Sequence, residues 1–206
     1  MHIRRTANVN HKSQIYDIIS SGAAGLERSM VKNMEIQTKR LVLCPLGLKY
    51  LNSTFEYARD IENTKFMKYL PSDAIDETVE FLTGVEKEWQ KDAPEDYEFA
   101  ILADDIHIGA ICLCLNKDRS EGELGWIINK KYWHKGYAFE AARALIEYFT
   151  DVMKMKHFIA HCDSENTASY GLMEKLGMRR VSCYGGRRNK SSSEERMEFM
   201  YELIVE

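Results

Sequence analysis

The run 122–142, GELGWIINKKYWHKGYAFEAA, gathers the residues of this chain best able to do chemistry. A strand-like segment ends in a basic turn with Lys130, Lys131 and Lys135, and a long helical pattern begins at Gly136. Such a junction aims backbone N–H groups and the positive end of a helix at one point, which suits a phosphate. Gly136 lets the backbone approach a ligand where a Cβ would intrude, and Ala138 keeps the first helical turn small. A plain strand-to-helix turn with solvated lysines has the same composition, and chemistry alone leaves both readings open.

Other reactive residues are read as structural. His157, His161 and Cys162 invite a metal, but residues four apart on a strand lie about 13 Å from one another. Cys112 and Cys114 alternate along an apolar strand and are expected to be packing thiols. Cys183 has no histidine placed beside it. Arg187, Arg188 and Lys190 fall in a serine-rich segment and read as a solvated, mobile loop.

The elements that must position the 122–142 run follow from hydrophobic period. Residues 35–45 read as an opening strand stopped by Pro45, and 48–59 as an amphipathic helix. A short helical turn is expected at 63–69, then a helix capped by Asp76 with Val79, Leu82, Val85 and Trp89 as its stripe. Segments 97–103 and 106–116 form a hairpin about Asp104-Asp105, and 122–128 supplies the next strand. Ala141, Ala142, Leu145, Ile146 and Phe149 make one apolar face of a helix over 138–153. A strand at 157–162 and a helix at 166–176, ended by Gly177, come next. Strands at 178–184 and 197–205 close the chain around a polar loop at 185–196. The order β-α-α-β-β-β-α-β-α-β-β predicts one α+β domain over 34–206, a mixed sheet flanked by helices. Residues 1–33 have a different character and are expected to be a helical or disordered arm dispensable for chemistry.

Composition narrows the function. With 28 Lys+Arg against 32 Asp+Glu in 206 residues, the net charge of −4 argues against a nucleic-acid binder. No apolar run approaches the roughly 20 residues that cross a bilayer. The odd number of cysteines, 5, suggests reduced thiols in a cytoplasmic protein.

The hexapeptide Trp133-His134-Lys135-Gly136-Tyr137-Ala138 resembles the acetyl-CoA pyrophosphate loop, R/Q-x-x-G-x-G/A, of the GNAT N-acetyltransferase superfamily. The longer run ELGWIINKKYWHKGYAFEAA is similar to the branch containing the ribosomal-protein N-terminal acetyltransferases. The run 38–43, TKRLVL, resembles that branch's opening strand, and 163–178, DSENTASYGLMEKLGM, its N-x-x-S…EKLGF segment. Landmarks in this order, on elements of the right kind, are far more specific than one hexapeptide. Two positions depart from the pattern: Trp133 replaces Arg or Gln, and His134 stands where a second glycine is common. If residue 134 needs a positive φ, histidine there is strained.

The resemblance implies acetyl-CoA as cosubstrate, no metal, and direct attack of an amine on the thioester. Pyrophosphate is then expected over His134, Lys135, Gly136, Tyr137 and Ala138. The pantetheine arm is expected along Ile127, Ile128 and Asn129, with an N–H near Ile127 donating to the thioester oxygen. Asn166 resembles the family asparagine that orders the cofactor arm, although a simple N-cap accounts for it equally. Glu123, on the strand feeding the loop, is the candidate general base, and Ser169 the candidate acid for the departing thiolate. Solvated surface roles are the alternatives for both. A lysine-like amine near pKa 10.4 costs roughly 4–5 kcal/mol to deprotonate at pH 7, an α-amine near 8 only about 1 kcal/mol. The resemblance implies, as the leading acceptor, a protein or peptide N-terminal α-amine. A polyamine, amino acid or aminoglycoside is the alternative, and a non-catalytic acyl-CoA sensor the rival class. A monomer or homodimer, without nucleic-acid or membrane partner, is expected.

Overall fold

Alternating burial drives the middle of the chain into a sheet, and a computed structural model, describing residues 34–206, gathers eight strands in it. They are β1 (Ile36–Gln37), β2 (Leu41–Pro45), β3 (Asp96–Ala103), β4 (Ile106–Leu115), β5 (Glu121–Ile128), β6 (His157–Asp163), β7 (Arg179–Arg188) and β8 (Glu195–Ile204). Their spatial order is β1-β2-β3-β4-β5-β6-β8-β7, and only the β5–β6 pair is parallel. A parallel pair needs a long crossover, which the helix between these two strands provides. The helices are α1 (Leu51–Ala58), α2 (Ile61–Thr64), α3 (Ile75–Trp89), α4 (Tyr137–Met153) and α5 (Thr167–Lys175).

The α+β architecture agrees with the sequence reading, with local corrections. The opening strand is a small hairpin, because Thr38 turns the chain by donating its N–H to Leu41 O at 2.9 Å. The helical turn expected at 63–69 starts earlier, as α2, where the Asp60 side chain accepts from Asn63 N at 2.9 Å. Ala74, not Asp76, occupies the N-cap of α3; Asp76 and Glu77 lie within the first turn, facing the positive helix end. The loop expected at 185–196 shortens to 189–194, since β7 and β8 stay paired through Arg187↔Arg196 and Arg188↔Glu195. Gly186, at φ +94°, absorbs the irregularity in that ladder. The Asp104-Asp105 hairpin is as expected, with both residues at positive φ, the geometry of a tight two-residue turn. The proposed arm at 1–33 lies outside the described residues.

The core lies between α4 and one sheet face. Ala141, Ala142, Leu145 and Phe149 are fully buried with Phe99, Ile101, Leu113 and Phe158, and the Phe149 ring meets Tyr97 edge-on at 4.9 Å. The α4 stripe was readable from its 3.6-residue period, and its small residues let the helix approach the strands closely. The opposite, second face meets α1, where Ser53 Oγ bonds His107 Nδ1 at 2.7 Å and Tyr50 bonds Cys44 Sγ at 3.1 Å.

Candidate active site

β5 and β6 pair only over Glu121↔His157, Gly122↔Phe158 and Glu123↔Ile159. β5 then runs on to Ile128 and β6 to Asp163 without pairing, so the strands part into a gap. α4 starts above the end of β5 and α5 above the end of β6, which turns two helix N-termini toward the same opening.

The β5 corner is the predicted phosphate loop. His134, at φ +62°, and Gly136, at φ +76°, are both left-handed. The strain foreseen for a left-handed histidine is therefore present, at roughly 1–2 kcal/mol. Left-handed residues within such a turn curl successive N–H groups into a concave anion nest. Gly136 gives α4 no side-chain cap, and among the described residues no protein acceptor meets the N–H groups of Tyr137, Ala138 or Phe139. These open donors are what a diphosphate needs.

The three lysines do not contribute equally. Lys130 pairs with Asp60 at 2.8 Å and Glu62 at 2.9 Å, and Lys131 with Glu56 at 2.6 Å. Among the described residues Lys135 alone of the three has no carboxylate partner; its ammonium lies 5.2 Å from the Tyr132 ring centre. Asn129, expected to contact the cofactor, is buried and holds the corner together. Its side chain accepts from Lys131 N at 3.1 Å and donates to Glu56 at 3.2 Å, and its N–H bonds Ile108 O at 2.8 Å.

Arg40 braces this loop, a role the sequence reading missed. Its Nε pairs with Glu140 at 2.6 Å, its Nη1 donates to Lys135 O at 2.9 Å, and its guanidinium lies 4.8 Å over Tyr137. Thr38 donates to the same Glu140 carboxylate at 2.7 Å. Burial raises the Glu140 pKa, but the Thr38 and Arg40 donors outweigh it and hold the carboxyl below its usual range. The only sequence signal was TKR at the opening strand, a hundred residues away.

Backbone direction along the gap follows from pairing. Asn129 N donates to Ile108 O and Asn116 N to Glu121 O, and the β4–β5 register between these bonds is unbroken. Odd-numbered residues of β5 therefore point their amides at β4, and even-numbered ones point away from it. Ile127, expected to supply the donor, is committed to the β4 ladder. Trp126 and Ile128 aim their N–H groups into the gap instead.

Side-chain alternation separates the candidate catalytic groups. Glu123 projects on the second face, half exposed, and its Oε1 lies 3.0 Å from Nδ1 of His161, which is on β6 just past the last β5–β6 pair. Ser169, on α5, lies on the first face beside the buried Cys162 thiol, whose pKa burial pushes up to about 11. Asn166 caps α5 by accepting from Ser169 N at 3.2 Å. Tyr170 is turned away, its ring packed on Phe199 at 5.8 Å. Expected base and acid thus flank the gap from opposite faces.

On the second face, beside Glu123, α2 and the segment after it are tied to the β5 corner at one end and to β8 at the other. The same face carries Cys112, Cys114 and Glu98; the two thiols are partly buried on β4, and burial raises the Glu98 carboxyl to about 7. Gly125 leaves room for one of these thiols, since a Cβ there would meet Cys112 Sγ at 2.7 Å. Segment 65–73 crosses to the β7–β8 hairpin and is clasped there. Arg187 Nη2 donates to Phe66 O at 2.7 Å, Lys190 N to Met67 O at 3.0 Å, and Lys68 pairs with Glu198 at 2.8 Å. Arg187 also pairs closely with Glu198 and bonds Asn189 Oδ1 at 3.0 Å. It is 8% exposed, which corrects the expected solvated loop: its charge is buried because Glu198 and Asp163 are buried beside it.

His157 and His161 share no ion; each faces a different carboxylate, and among the described residues no group of three ligating side chains could hold a metal. All five cysteines are unbridged. Among the described residues no helix is long and apolar enough to cross a membrane.

Comparison with known proteins places this geometry. Residues 40–179 match the acetyltransferase (GNAT) domain family. The chain is 35% identical over 151 residues to YnaD of Bacillus subtilis, an uncharacterized N-acetyltransferase, across 73% of this chain and 86% of YnaD. The crystal structure of a GNAT-family acetyltransferase from Bacillus anthracis superposes with a TM-score of 0.71 at 30% identity, covering 83% of this chain and 98% of that one. RimL, the ribosomal L7/L12 α-N-protein acetyltransferase solved with coenzyme A, shares the fold at a TM-score of 0.75 and 13% identity, covering 83% and 98%. An open-amide loop ahead of α4, a parted parallel strand pair and these matches lead to one assignment: the chain belongs to the GNAT acetyltransferase family.

Proposed function

We propose that this chain carries the acetyl group of acetyl-CoA to the α-amine at the N-terminus of a peptide or protein. The observation that carries the reading is the β5–β6 gap, with open amides at its top and ionisable groups of complementary role on its two faces. The N–H groups from His134 to Ala138 hold the pyrophosphate, with Lys135 adding charge. Trp126 and Ile128 pair with the pantetheine arm, and the run from Ile128 down to Glu123 is about 17 Å, a length an extended pantetheine spans. The Trp126 N–H bonds the thioester oxygen as it gains charge, a donor worth ~3–4 kcal/mol of barrier. Asn166 orders the arm from the other side, and Ser169 faces the departing thiolate. The amine enters from the Glu123 side.

The choice of an α-amine rests on the strength of the base. The ionisable pair at the mouth of the gap is Glu123 bonded to His161, a carboxylate and an imidazole, and both are weak bases. Such a pair suits an amine needing about 1 kcal/mol to become neutral at pH 7, not one needing roughly 4–5 kcal/mol. A small polyamine is the second reading, favoured by the Glu98 carboxyl on the same face. A panel of free-N-terminus peptides, polyamines and aminoglycosides with acetyl-CoA, read by product mass, decides between them. Acetylation confined to the polyamines overturns the α-amine assignment.

Arg40→Met tests the loop brace. It is expected to weaken acetyl-CoA binding about tenfold by calorimetry. Because the Arg40 side chain is 44% exposed, global stability should change by less than ~1 kcal/mol. An unchanged Kd would show that the loop holds its shape without Arg40.

A further inference from the structure

We propose that His161, not Glu123, is the group that takes the proton from the acceptor amine, and that Glu123 is the positioning residue that orients it. The inference rests on the acetyl-transfer reading above and adds a residue to its machinery.

The geometry is specific about atoms. Glu123 Oε1 and His161 Nδ1 are 3.0 Å apart. An ionised carboxylate only accepts, so Nδ1 carries the hydrogen and donates it. The neutral imidazole then bears its lone pair on Nε2. The tautomer is set by the carboxylate, as in any base oriented by an acid partner. Position supports the same role. His161 sits two residues beyond Ile159, the last β6 residue paired with β5, where the parallel ladder ends and the gap begins. Its side chain is 20% exposed against 50% for Glu123, so the imidazole is the more sheltered of the two and the carboxylate the more hydrated. A base inside the mouth of the gap can reach an attacking nitrogen there; a carboxylate occupied by an imidazole has one oxygen fewer with which to do so.

The groups that face His161 come from several elements. Glu123 of β5 bonds it directly, Glu198 of β8 adds negative charge, and Lys68 of the clasped segment opposes that charge. Tyr184 of β7 lies against the same Glu198 carboxylate. The Glu123 bond is the largest of these influences and holds the imidazole pKa above its ordinary value, against burial. A histidine raised in this way is neutral, and able to accept, only above that raised value.

The neutral amine's lone pair forms the N–C bond to the acetyl carbonyl carbon. The C–S bond breaks, and its electron pair leaves on the CoA sulfur. The nitrogen's surplus proton passes to His161 Nε2, giving an imidazolium beside the Glu123 carboxylate. The thiolate takes a proton from solvent by way of the Ser169 hydroxyl, and the imidazolium returns its own to solvent.

The two bases predict different pH profiles, and the full-length chain can be tested with acetyl-CoA and a peptide bearing a free N-terminal serine. If His161 is the base, Glu123→Gln lowers kcat and moves the acidic limb of kcat to lower pH, because the imidazole loses the charge that raised its pKa. His161→Gln then removes that limb and lowers kcat about 100-fold, with the Kd for acetyl-CoA unchanged. If Glu123 is the base, Glu123→Gln abolishes the limb and His161→Gln merely displaces it; that result overturns the proposal. Titration of the imidazole by NMR, in the unaltered chain and in Glu123→Gln, needs no turnover. A His161 pKa that falls in the variant supports the pairing, and one that stays put overturns it. Should no amine in the panel be acetylated, the acceptor assignment fails separately, and the titration alone decides the His161–Glu123 pair.

Discussion

Gly136→Glu is expected to reduce acetyl-CoA affinity at least about 100-fold, or ~2.7 kcal/mol, while leaving the protein folded. Two effects combine. Gly136 has φ +76°, where a residue with a Cβ carries about 1–2 kcal/mol of strain. The new carboxylate also sits beside the amides of Tyr137 and Ala138, where it competes with phosphate for the same positive helix end. Space is not the obstacle, since the nearest atom to an added Cβ is Arg40 Nη2 at 3.6 Å. Gly136→Ala separates the causes: it carries the strain without the charge and should lose only about tenfold. Calorimetry on both variants, with thermal melts as the folding control, reads the difference. An unaltered Kd in Gly136→Glu would remove the loop from the cofactor site.

Arg187→Met is expected to be the most destabilising single change among the residues discussed. Its guanidinium is buried against Glu198, Asn189 and the Phe66 carbonyl, and Asp163 beside it is fully buried. Removing Arg187 leaves buried Glu198 with Lys68 and Asp163 with Asn189 and Arg196, and losing one member of such a buried network costs ~3 kcal/mol. For a domain of this size that is a fall in Tm of about 10 °C. The pH dependence has a definite sign. Burial raises the Glu198 pKa, but Lys68, the Tyr184 hydroxyl and Arg187 together outweigh it and hold it below the usual carboxylate value. In the unaltered chain that stabilisation is full above the unfolded pKa of about 4.3 and is lost as pH falls through the lower folded value. In Arg187→Met the Glu198 pKa rises, so protonation relieves the buried charge and the gap in Tm narrows as pH falls. Adding Glu198→Gln to Arg187→Met should recover part of the lost Tm. Melts at pH 5 and pH 8 test this, and equal gaps at both would show that Glu198 does not carry the cost. Activity should fall with Tm as well, since the clasp holds segment 65–73 on the Glu123 side of the gap.

Local pattern determined a large part of this molecule. The α4 stripe, the Asp104-Asp105 hairpin and the Gly177 helix stop were readable because each depends on residues a few positions apart. The Gly136 loop was readable for the same reason, since a strand, a basic turn and a helix start fall within one short run. Asn166 as the cap of α5 follows from its place before the helix.

What required the fold is whatever joins distant segments. Arg40 reaches Lys135 and Glu140 across about a hundred residues, and no periodicity encodes that contact. Lys130 and Lys131 look like phosphate ligands in sequence, but α1 and α2 bring carboxylates that neutralise them. Strand register decided that Trp126 and Ile128, rather than Ile127, face the gap, because amide direction alternates and only pairing fixes its phase. Arg187 and Lys190 lie in a stretch that reads as solvated loop, until the chain folds segment 65–73 onto them and buries the charge. His161 shows the same limit most clearly: four residues from His157 it suggests a weak metal motif, whereas the parallel β5–β6 pairing sets it against Glu123. Sequence determines what each segment can be, through short-range sterics and burial; the tertiary structure decides which ionisable groups meet, because a charge's partner depends on distance in space.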